Sequence, residues 1–492
     1  MRYRNPVVRG FYPDPSVCRA DGRYYMVCSS FQFFPGVPLF ESSDLINWTQ
    51  IGHCLTRKSQ VMLEGAGSSA GVYAATIRYC DGVFYMVTTN TSVGKNFYIT
   101  TTDIRGEWSE PIYVEQGGID PSLYFEDGHA YFMSNGVDDN GKPAIIQCEI
   151  DINTGEKLTL SRAVWNGAGG RYLESPHLYK IGGSYYIMAA EGGTEYGHMI
   201  VYGRGDSLWG PFENYPRNPV LTNRDLGGYT IQGVGHGDLV QSPTGEWFMV
   251  HLGFRQTDMW MPYHHLGREV CMTPVRFGED GWFTCGNNGT TEQEYEINSD
   301  IPQNIRNVYT FANTSPDVEW CYLRHPDTSK YELSSECFVL RAGEHTLDDV
   351  ASPTFIGIRQ MDFRGTAEVE VTVDCGEAGL TMFMDENHHY DLMLRSSADG
   401  CEAILKLNIG DVKHEQFAVP VSSCRVRLSV ELDNLSYTFR VIDGDRVIQC
   451  GSAQTRYLSS EVAGGFTGVF IGLFAQKNGC TALFADFRTE YR

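Results

Sequence analysis

The sequence predicts an all-β chain in which a five-bladed β-propeller is followed by a jelly-roll-like β-sandwich. Two patterns carry this prediction. A thirteen-residue hairpin pattern recurs five times in the first 295 residues, and alternating apolar strands without helical periodicity fill the later part of the chain. The length of 492 residues also exceeds what one hydrophobic core usually serves, so two domains are expected.

The hairpin pattern has an apolar third position and a glycine at its eighth position. Asp-Gly or Gly-Gly at a turn, followed by aromatic and apolar residues, is typical of a tight hairpin. The spacing of 46 to 62 residues is enough for one four-stranded blade per copy, which predicts a propeller over residues 1–295. A β-sandwich with coincidental hairpins is the alternative, and the constant phase disfavours it. The turn glycines are Gly22, Gly82, Gly128, Gly183 and Gly245.

Beyond the repeats the character of the chain changes. Residues 296–310 are polar and lack apolar periodicity, which predicts a linker. From 311 to 492, runs such as AEVEVTVDC and RVRLSVEL alternate apolar and polar residues between turn clusters. These runs predict an antiparallel β-sandwich as the second domain.

Composition and charge disfavour several classes of function. The net charge of −23 repels phosphate backbones and anionic lipid, so neither nucleic acid nor a membrane is expected as a partner. No apolar segment has the length of a signal peptide core or a membrane span, and a cytoplasmic location is expected. The fourteen cysteines include no CxxC pair and are interpreted as buried thiols of a reducing compartment. Assembly into a homo-oligomer is left open.

The register of the repeats predicts where functional side chains converge. Residues just before the inner strands of a propeller face one end of its central channel. One or two positions before the repeats stand Asp14, Asp120, Glu174, Tyr73 and His236. Each acid alone is equally well read as a turn former or a solvated strand end, but turn formation does not explain their common phase. Because buried acids around a narrow axis repel one another, we interpret the three acids as catalytic.

Blade order separates the roles of the three acids. Blades three and four are ring neighbours, so Asp120 is expected beside Glu174, with Asp14 across the channel. A neighbouring carboxylate raises the pKa of Glu174 and keeps it protonated as a general acid, while Asp120 orients and modulates it. Asp14 has room to hold a water as general base, and a wide separation of acid and base predicts inversion of configuration.

At these residues the sequence resembles glycoside hydrolase family 43, especially its β-xylosidases and α-L-arabinofuranosidases with a C-terminal β-sandwich. The matching stretches include NPVVRGFYPDPSV, GIDPSLYFEDG, YLESPHLYK, IQGVGHGDLV and HHLGREVCMTPV. The resemblance implies the same roles for the three acids. It also implies a sugar-binding pocket made by Phe31, Tyr73, His236, Arg268 and, from the sandwich, Phe466.

The resemblance implies an exo-acting, inverting hydrolase that releases xylose from the non-reducing ends of β-1,4-xylooligosaccharides. An α-L-arabinofuranosidase, or an enzyme with both activities, is the main alternative because it uses the same machinery. An endo-arabinanase needs an open groove, and a non-catalytic carbohydrate-binding propeller needs no acids, so both are less favoured. No cofactor or metal is expected to be required, although some family members hold a calcium ion or a water network near the position of His236.

Overall fold

The computed structural model describes residues 1–260, 262–477 and 479–492, and its strands confirm the all-β class and the propeller-plus-sandwich architecture. Five four-stranded antiparallel sheets form the blades. Their first strands contact one another in ring order, and the first strand of blade 5 contacts that of blade 1. The blades therefore surround a central channel lined by their first strands.

Each blade is an antiparallel meander whose strands follow one another from the channel to the rim. The turn glycines predicted from the repeat lie between the first and second strands with φ of 79° to 90°, a conformation in which any side chain is strained. The strands are, in blade 1, Ser16–Ala20, Arg23–Val27, Gly36–Ser42 and Thr49–Leu55; in blade 2, Val72–Cys80, Val83–Asn90, Lys95–Thr101 and Ile112–Val114; and in blade 3, Ser122–Glu126, His129–Val137, Pro143–Ile150 and Arg162–Trp165. Blade 4 has Glu174–Ile181, Ser184–Glu191, Met199–Gly205 and Glu213–Asn214, and blade 5 has Ile231–Gln241, Trp247–Arg255, Glu269–Phe277 and Phe283–Cys285.

The backbone is distorted where the inner strands begin. The first strands of blades 2, 4 and 5 have register shifts at this end. Asp14, Asp120, Ser175 and His236 adopt left-handed φ values of 47° to 56° there. Bulges turn side chains away from the regular alternation, and strained non-glycine residues cluster at functional sites. The phase shared by the repeats thus corresponds to a shared distortion of the backbone at one end of the channel.

The second domain packs an eight-stranded sheet against a six-stranded sheet around a common apolar core. Gly365–Val373 alternates buried and half-buried residues along its whole length, as a strand with one face in the core should. The other strands of the larger sheet are Val308–Thr310, Tyr331–Leu333, Cys337–Arg341, Arg425–Leu432, Ser436–Asp443, Arg446–Gln454 and Thr481–Tyr491. The smaller sheet contains Thr354–Arg359, Gly376–Asp385, His388–Ser397, Gly400–Ile409, Val412–Pro420 and Phe470–Gln476.

Short elements complete the chain and join its two parts. Val308–Thr310 pairs with Thr481–Tyr491, so the strands of the sandwich begin inside the span predicted as a linker. Two small sheets pair Arg2–Arg4 with Glu294–Glu296 and Phe33–Phe34 with Tyr322–Leu323. The helical segments are the 3-10 turns Thr328–Lys330 and Thr455–Leu458 and the α-helix Ser460–Ala463. Within the described residues, no helix is both long and apolar enough to cross a bilayer.

The interpretation of all fourteen cysteines as thiols is wrong for four of them. Disulfides join Cys375 to Cys480 and Cys401 to Cys424, across Cα distances of 5.2 and 5.3 Å. The partners are 105 and 23 residues apart, and the sandwich sheets bring them together, so no local spacing pattern marks them. Disulfides are typical of oxidising compartments, and the cysteines therefore no longer support a cytoplasmic location.

Candidate active site

The eight side chains predicted for the site all line one cavity at the mouth of the propeller channel. Its volume is about 550 Å³, within the usual range for small-molecule sites. Seven of these residues come from the propeller and one from the sandwich, so both domains build the cavity. They are Asp14, Phe31, Tyr73, Asp120, Glu174, His236, Arg268 and Phe466.

Asp14 is buried and surrounded by groups that stabilise its charge. Arg268 Nη1 donates to Asp14 Oδ1 at 2.8 Å, the Ser29 hydroxyl donates to Oδ2, and His236 Nδ1 lies 3.7 Å from Oδ1. Burial raises the pKa of Asp14, but the Arg268 guanidinium, His236 and the hydroxyl together hold this pKa below its usual range. Asp14 is therefore ionised at neutral pH. Ser29 was missed, although extending the register of Ser16 opposite Val27 by two residues pairs it with Asp14.

Glu174 and Asp120 are held in the opposite protonation state. Burial raises the pKa of Glu174 to about 7, repulsion from Asp14 adds to this shift, and Arg268 opposes it. Burial also raises the pKa of Asp120 well above its usual range, and repulsion from Glu174 and Asp14 adds to this shift. Interacting carboxyl groups titrate as a pair, so Asp120 and Glu174 retain a proton near neutral pH. Asp120 was predicted to raise the pKa of Glu174, but burial is the larger cause, the repulsion that adds to it comes from Asp14, and within the pair it is Glu174 that raises the pKa of Asp120.

Arg268 joins the acids to the aromatic part of the cavity. It lies directly before the third strand of blade 5 and is 4% exposed. Besides Asp14, its guanidinium donates to Thr194 Oγ1 at 2.8 Å and to the Phe466 carbonyl at 3.3 Å. It also lies over the rings of Phe31 and Phe466, 5.7 and 5.8 Å from their centroids. This buried fork therefore fixes the distance between the charged and aromatic walls.

Phe31, Tyr73 and Phe466 form the aromatic wall. Phe31 is 5.3 Å from Tyr73 and 6.0 Å from Phe466 between ring centroids. The Phe31 backbone exchanges hydrogen bonds with Val72 at 2.8 and 3.0 Å, which links blades 1 and 2 beside the cavity. Gly71 makes this link possible, because a Cβ there would lie 2.4 Å from the Phe31 carbonyl oxygen. Flat apolar faces of this kind suit the apolar face of a sugar ring.

A chain of hydrogen bonds across the domain boundary holds Phe466. Phe466 N donates to Ser69 Oγ at 2.8 Å, and Ser69 N donates to Gln32 Oε1 at 2.9 Å. Gln32 Nε2 donates in turn to Ser68 Oγ at 3.2 Å. The aromatic residue that the sandwich contributes is therefore fastened to two loops of the propeller.

This chain of hydrogen bonds ends in a buried ion pair. Ser68 Oγ donates to Glu386 Oε2 at 2.7 Å, and the other oxygen of Glu386 pairs with Arg324. The Arg324 side chain is 0% exposed, and it also donates to the carbonyls of Ala66 at 2.5 Å and Ala351 at 2.6 Å. We call this set the interdomain relay; its side chains are those of Arg324, Glu386, Ser68, Gln32 and Ser69.

A second buried polar cluster lies deeper in the channel and was not predicted. Asp238 accepts from Arg78 Nη1 at 2.8 Å, from the Ser16 hydroxyl at 2.7 Å and from the Tyr179 hydroxyl at 2.5 Å. Arg78 Nη2 also lies 2.8 Å from His177 Nδ1. The cluster takes one or two residues from blades 1, 2, 4 and 5 and therefore ties them together at the axis. Asp238 is the first residue of the fifth repeat, where the other four copies have proline or alanine. This difference was the signal in the sequence that could have identified the cluster.

His236 does not sit in a set of side chains suited to calcium. Its Nδ1 is 2.5 Å from Ser175 Oγ, and burial lowers its pKa, so the ring is neutral. Calcium takes about six to eight oxygen ligands. Within the described residues, the one group of three clustered His, Cys or carboxylate ligand atoms is that of Asp374, Cys375 and Cys480, whose sulfurs are joined in a disulfide. The described side chains around His236 therefore do not form a calcium site, and the catalytic mechanism includes no metal there.

Sequence reasoning missed a further set of residues around the cavity. Thr194, Tyr196, His198, His264 and Glu461 all line it. Glu461, in the short helix of the sandwich, accepts from the Tyr196 hydroxyl at 3.0 Å and lies 2.7 Å from His264 Nδ1. These residues belong to connections outside the thirteen-residue pattern, so the repeat held no signal for them.

Family models match both parts of the chain. Residues 3–283 match the model of glycosyl hydrolases family 43. Residues 308–490 match that of the beta xylosidase C-terminal Concanavalin A-like domain. The two matches correspond to the propeller and the sandwich, respectively.

Individual proteins resemble the chain over nearly its whole length. A non-reducing end α-L-arabinofuranosidase of Bacteroides ovatus is 39% identical over 496 residues, which cover 97% of this chain and 92% of that protein. A xylosidase/arabinosidase of Butyrivibrio fibrisolvens is 35% identical over 504 residues, with 97% and 96% covered. The solved structure of GH43B from a Bacteroides ovatus xyloglucan PUL superposes with a TM-score of 0.92 at 36% identity, covering 100% of both chains. With its catalytic-domain match spanning more than half of its length, this chain belongs to glycoside hydrolase family 43.

Proposed function

We propose that this glycosidase is an exo-acting, inverting β-xylosidase that removes xylose from the non-reducing ends of β-1,4-xylooligosaccharides. The observation that carries the proposal is the contrast between the acids of the cavity. The pKa of Asp14 is lowered, whereas the pKa of Glu174 is raised to about 7. Hydrolysis by a pair of carboxyl groups requires one ionised and one protonated member on a shared cavity, and inversion further requires that a water fits between Asp14 and the anomeric carbon.

In this mechanism Asp14 is the general base. Its carboxylate accepts a proton from a water that attacks the anomeric carbon, on the face opposite the leaving group. Glu174 donates its proton to the glycosidic oxygen as the bond breaks, and the leaving sugar departs as an alcohol. A β-xyloside thereby yields α-xylose, because the configuration at the anomeric carbon is inverted.

Asp120 acts on the acid and does not touch the reacting atoms. The two carboxyl groups are coupled, because repulsion from Glu174 adds to the raised pKa of Asp120, and the pair retains a proton until the leaving oxygen takes it from Glu174. The Ser175 hydroxyl donates to Asp120 Oδ2 at 3.2 Å and lies 2.5 Å from His236 Nδ1, so Asp120 is itself held in place.

Exo action is supported by the wall that the sandwich adds. Phe466 and Glu461 from this domain line the cavity together with the propeller acids, and the interdomain relay fastens Phe466. An endo-acting enzyme needs a groove that passes a chain in both directions. A cavity walled on one side by a second domain suits a single terminal sugar on the aromatic wall, with Arg268 as the hydroxyl-binding fork.

Release of α-L-arabinofuranose is the second candidate. It is favoured by the 39% identical Bacteroides ovatus relative, which is named an α-L-arabinofuranosidase, and by the 35% identical relative named for both activities. The acids would serve both substrates unchanged. Turnover of 4-nitrophenyl β-xyloside and of 4-nitrophenyl α-L-arabinofuranoside by one preparation ranks the two.

The mechanism is tested with Asp14→Ala and Glu174→Ala. Each is expected to lose about 10²- to 10⁴-fold or more in turnover while remaining folded. Glu156→Ala, a change at an exposed acid outside the cavity, is the matched control and should keep parental turnover. Proton NMR of the first sugar released from a β-xyloside should show the α-anomer. Parental turnover in either variant, or a β-anomer as first product, would overturn the mechanism.

The proposal needs no metal. Treatment with EDTA is therefore expected to leave turnover unchanged, and loss of activity that added calcium restores would contradict this part.

A further inference from the structure

An exposed aromatic ring stands at the mouth of the cavity, apart from the aromatic wall. Tyr172 lies two residues before Glu174 and lines the same cavity, yet it is 62% exposed. Its backbone is in the left-handed region at φ 53°. Strained backbone at non-glycine residues clusters at active sites and ligand-binding sites. Core packing does not explain this position.

The loop that carries Tyr172 is firmly held. Glu191 is 1% exposed, and its two carboxylate oxygens accept from Ala168 N at 2.8 Å and Gly170 N at 2.9 Å. Asn214 Nδ2 donates to the Gly167 carbonyl at 2.9 Å on the other side of the loop. The ring is therefore presented by a loop whose backbone is fixed by a buried carboxylate.

The Tyr172 ring is also supported from the side. The Arg171 guanidinium lies 5.2 Å from its centroid, and Arg171 is paired with Glu195 and donates to the Gly192 carbonyl at 3.1 Å. Gly193 lies against the ring, because a Cβ there would be 3.0 Å from Tyr172 Cδ2. A positioned cation on an aromatic ring and a glycine beside it orient the ring without covering it.

We propose that Tyr172 is the stacking platform of a leaving-group subsite that binds a pyranose ring. The inference rests on the proposed role of Glu174 as the acid. The oxygen that Glu174 protonates belongs to the departing sugar, so this sugar occupies the part of the mouth next to the acid. Tyr172 is the aromatic face exposed there, and it stacks on the apolar face of the departing ring. The subsite selects oligosaccharides over pentosides that carry a small alkyl group.

Xylobiose and methyl β-xyloside separate this role from the chemistry. Both release an alcohol, but methanol has no ring to stack. In Tyr172→Ala, kcat/KM for xylobiose should fall by about tenfold, while the value for methyl β-xyloside should change by less than about twofold. Tyr172→Trp should retain the parental preference for xylobiose because it keeps an aromatic face. Tyr113→Ala, at a tyrosine 46% exposed on the rim of blade 2, is the matched control and should leave both values unchanged.

The outcomes distinguish the platform from the proposed function. An equal loss on both substrates, or no loss on xylobiose, would overturn the platform. If the parent enzyme hydrolyses neither xyloside, the proposed xylosidase function has failed. The same comparison between an arabinofuranosyl-xylobiose and methyl α-L-arabinofuranoside then tests Tyr172, with the same expected result.

Discussion

The buried ion pair of the interdomain relay should contribute strongly to stability. Glu386→Ala removes the carboxylate that faces Arg324, whose side chain is 0% exposed while that of Glu386 is 6% exposed. Removing one partner of a buried pair leaves an uncompensated charge and costs about 3–5 kcal/mol. For a folding unit of the size of the sandwich this corresponds to a fall in Tm of about 6–20 °C.

The same change should reach the active site through Ser68 and Ser69. Ser68 Oγ loses its acceptor, and the loop that holds the Phe466 amide loses an anchor. Because Phe466 belongs to the aromatic wall and not to the acids, KM for an aryl pentoside should rise while kcat stays near the parental value. Glu386→Gln keeps an acceptor at this position and should restore part of the KM.

Differential scanning calorimetry and steady-state kinetics on the intact chain measure both effects. Glu431→Ala is the matched control, since the Arg440–Glu431 pair has the same chemistry at 34% and 44% exposure. An exposed pair of this kind contributes about 0–1 kcal/mol. A Tm for Glu386→Ala no lower than that of the control would refute the argument. So would a fall in kcat as large as the rise in KM.

Four further predictions concern charge and redox state. The value of kcat/KM should decline as pH rises through about 7, where Glu174 loses its proton. It should stay high into acidic solution, because the pKa of Asp14 is lowered and this base remains ionised there. A value of kcat/KM that rises above neutral pH would contradict both roles. Asp120→Asn removes one carboxyl group of the coupled pair and with it the repulsion that retains the last proton of the pair, so the alkaline limb of this profile should move to lower pH, and an unmoved limb would refute the coupling. Arg78→Met should lower the free energy of unfolding by about 3–5 kcal/mol, measured by denaturant titration, because it strands the buried Asp238 carboxylate; a loss under about 1 kcal/mol would be inconsistent with this. Titration of the denatured chain with Ellman's reagent should find ten thiols before reduction and fourteen after it, whereas fourteen in both cases would rule out the disulfides.

The amino-acid sequence was sufficient for the fold class and for the three acids because both are encoded locally and repeatedly. Each turn glycine joins two strands in a tight hairpin. Five copies of this hairpin pattern, with functional residues at the same positions, imply five blades arranged in a ring. Once five blades are assumed to form a ring, the residues just before the inner strands are expected to place their side chains at one end of the central channel. Asp14, Asp120 and Glu174 could therefore be placed on one cavity without any knowledge of distant contacts.

The features that depend on docking the two domains could not be obtained in this way. Phe466 meets Ser69 across 397 residues and Arg324 meets Ala66 across 258, and no periodicity links such positions. The Glu461 contact with Tyr196 has the same origin. The disulfide partners and the support of Tyr172 depend instead on long-range contacts within one domain. Even the pKa of Glu174 owes more to burial than to its charged neighbours. Burial and long-range contacts are properties of the packed chain, because they depend on which surfaces exclude water from one another, and local residue patterns carry no record of that.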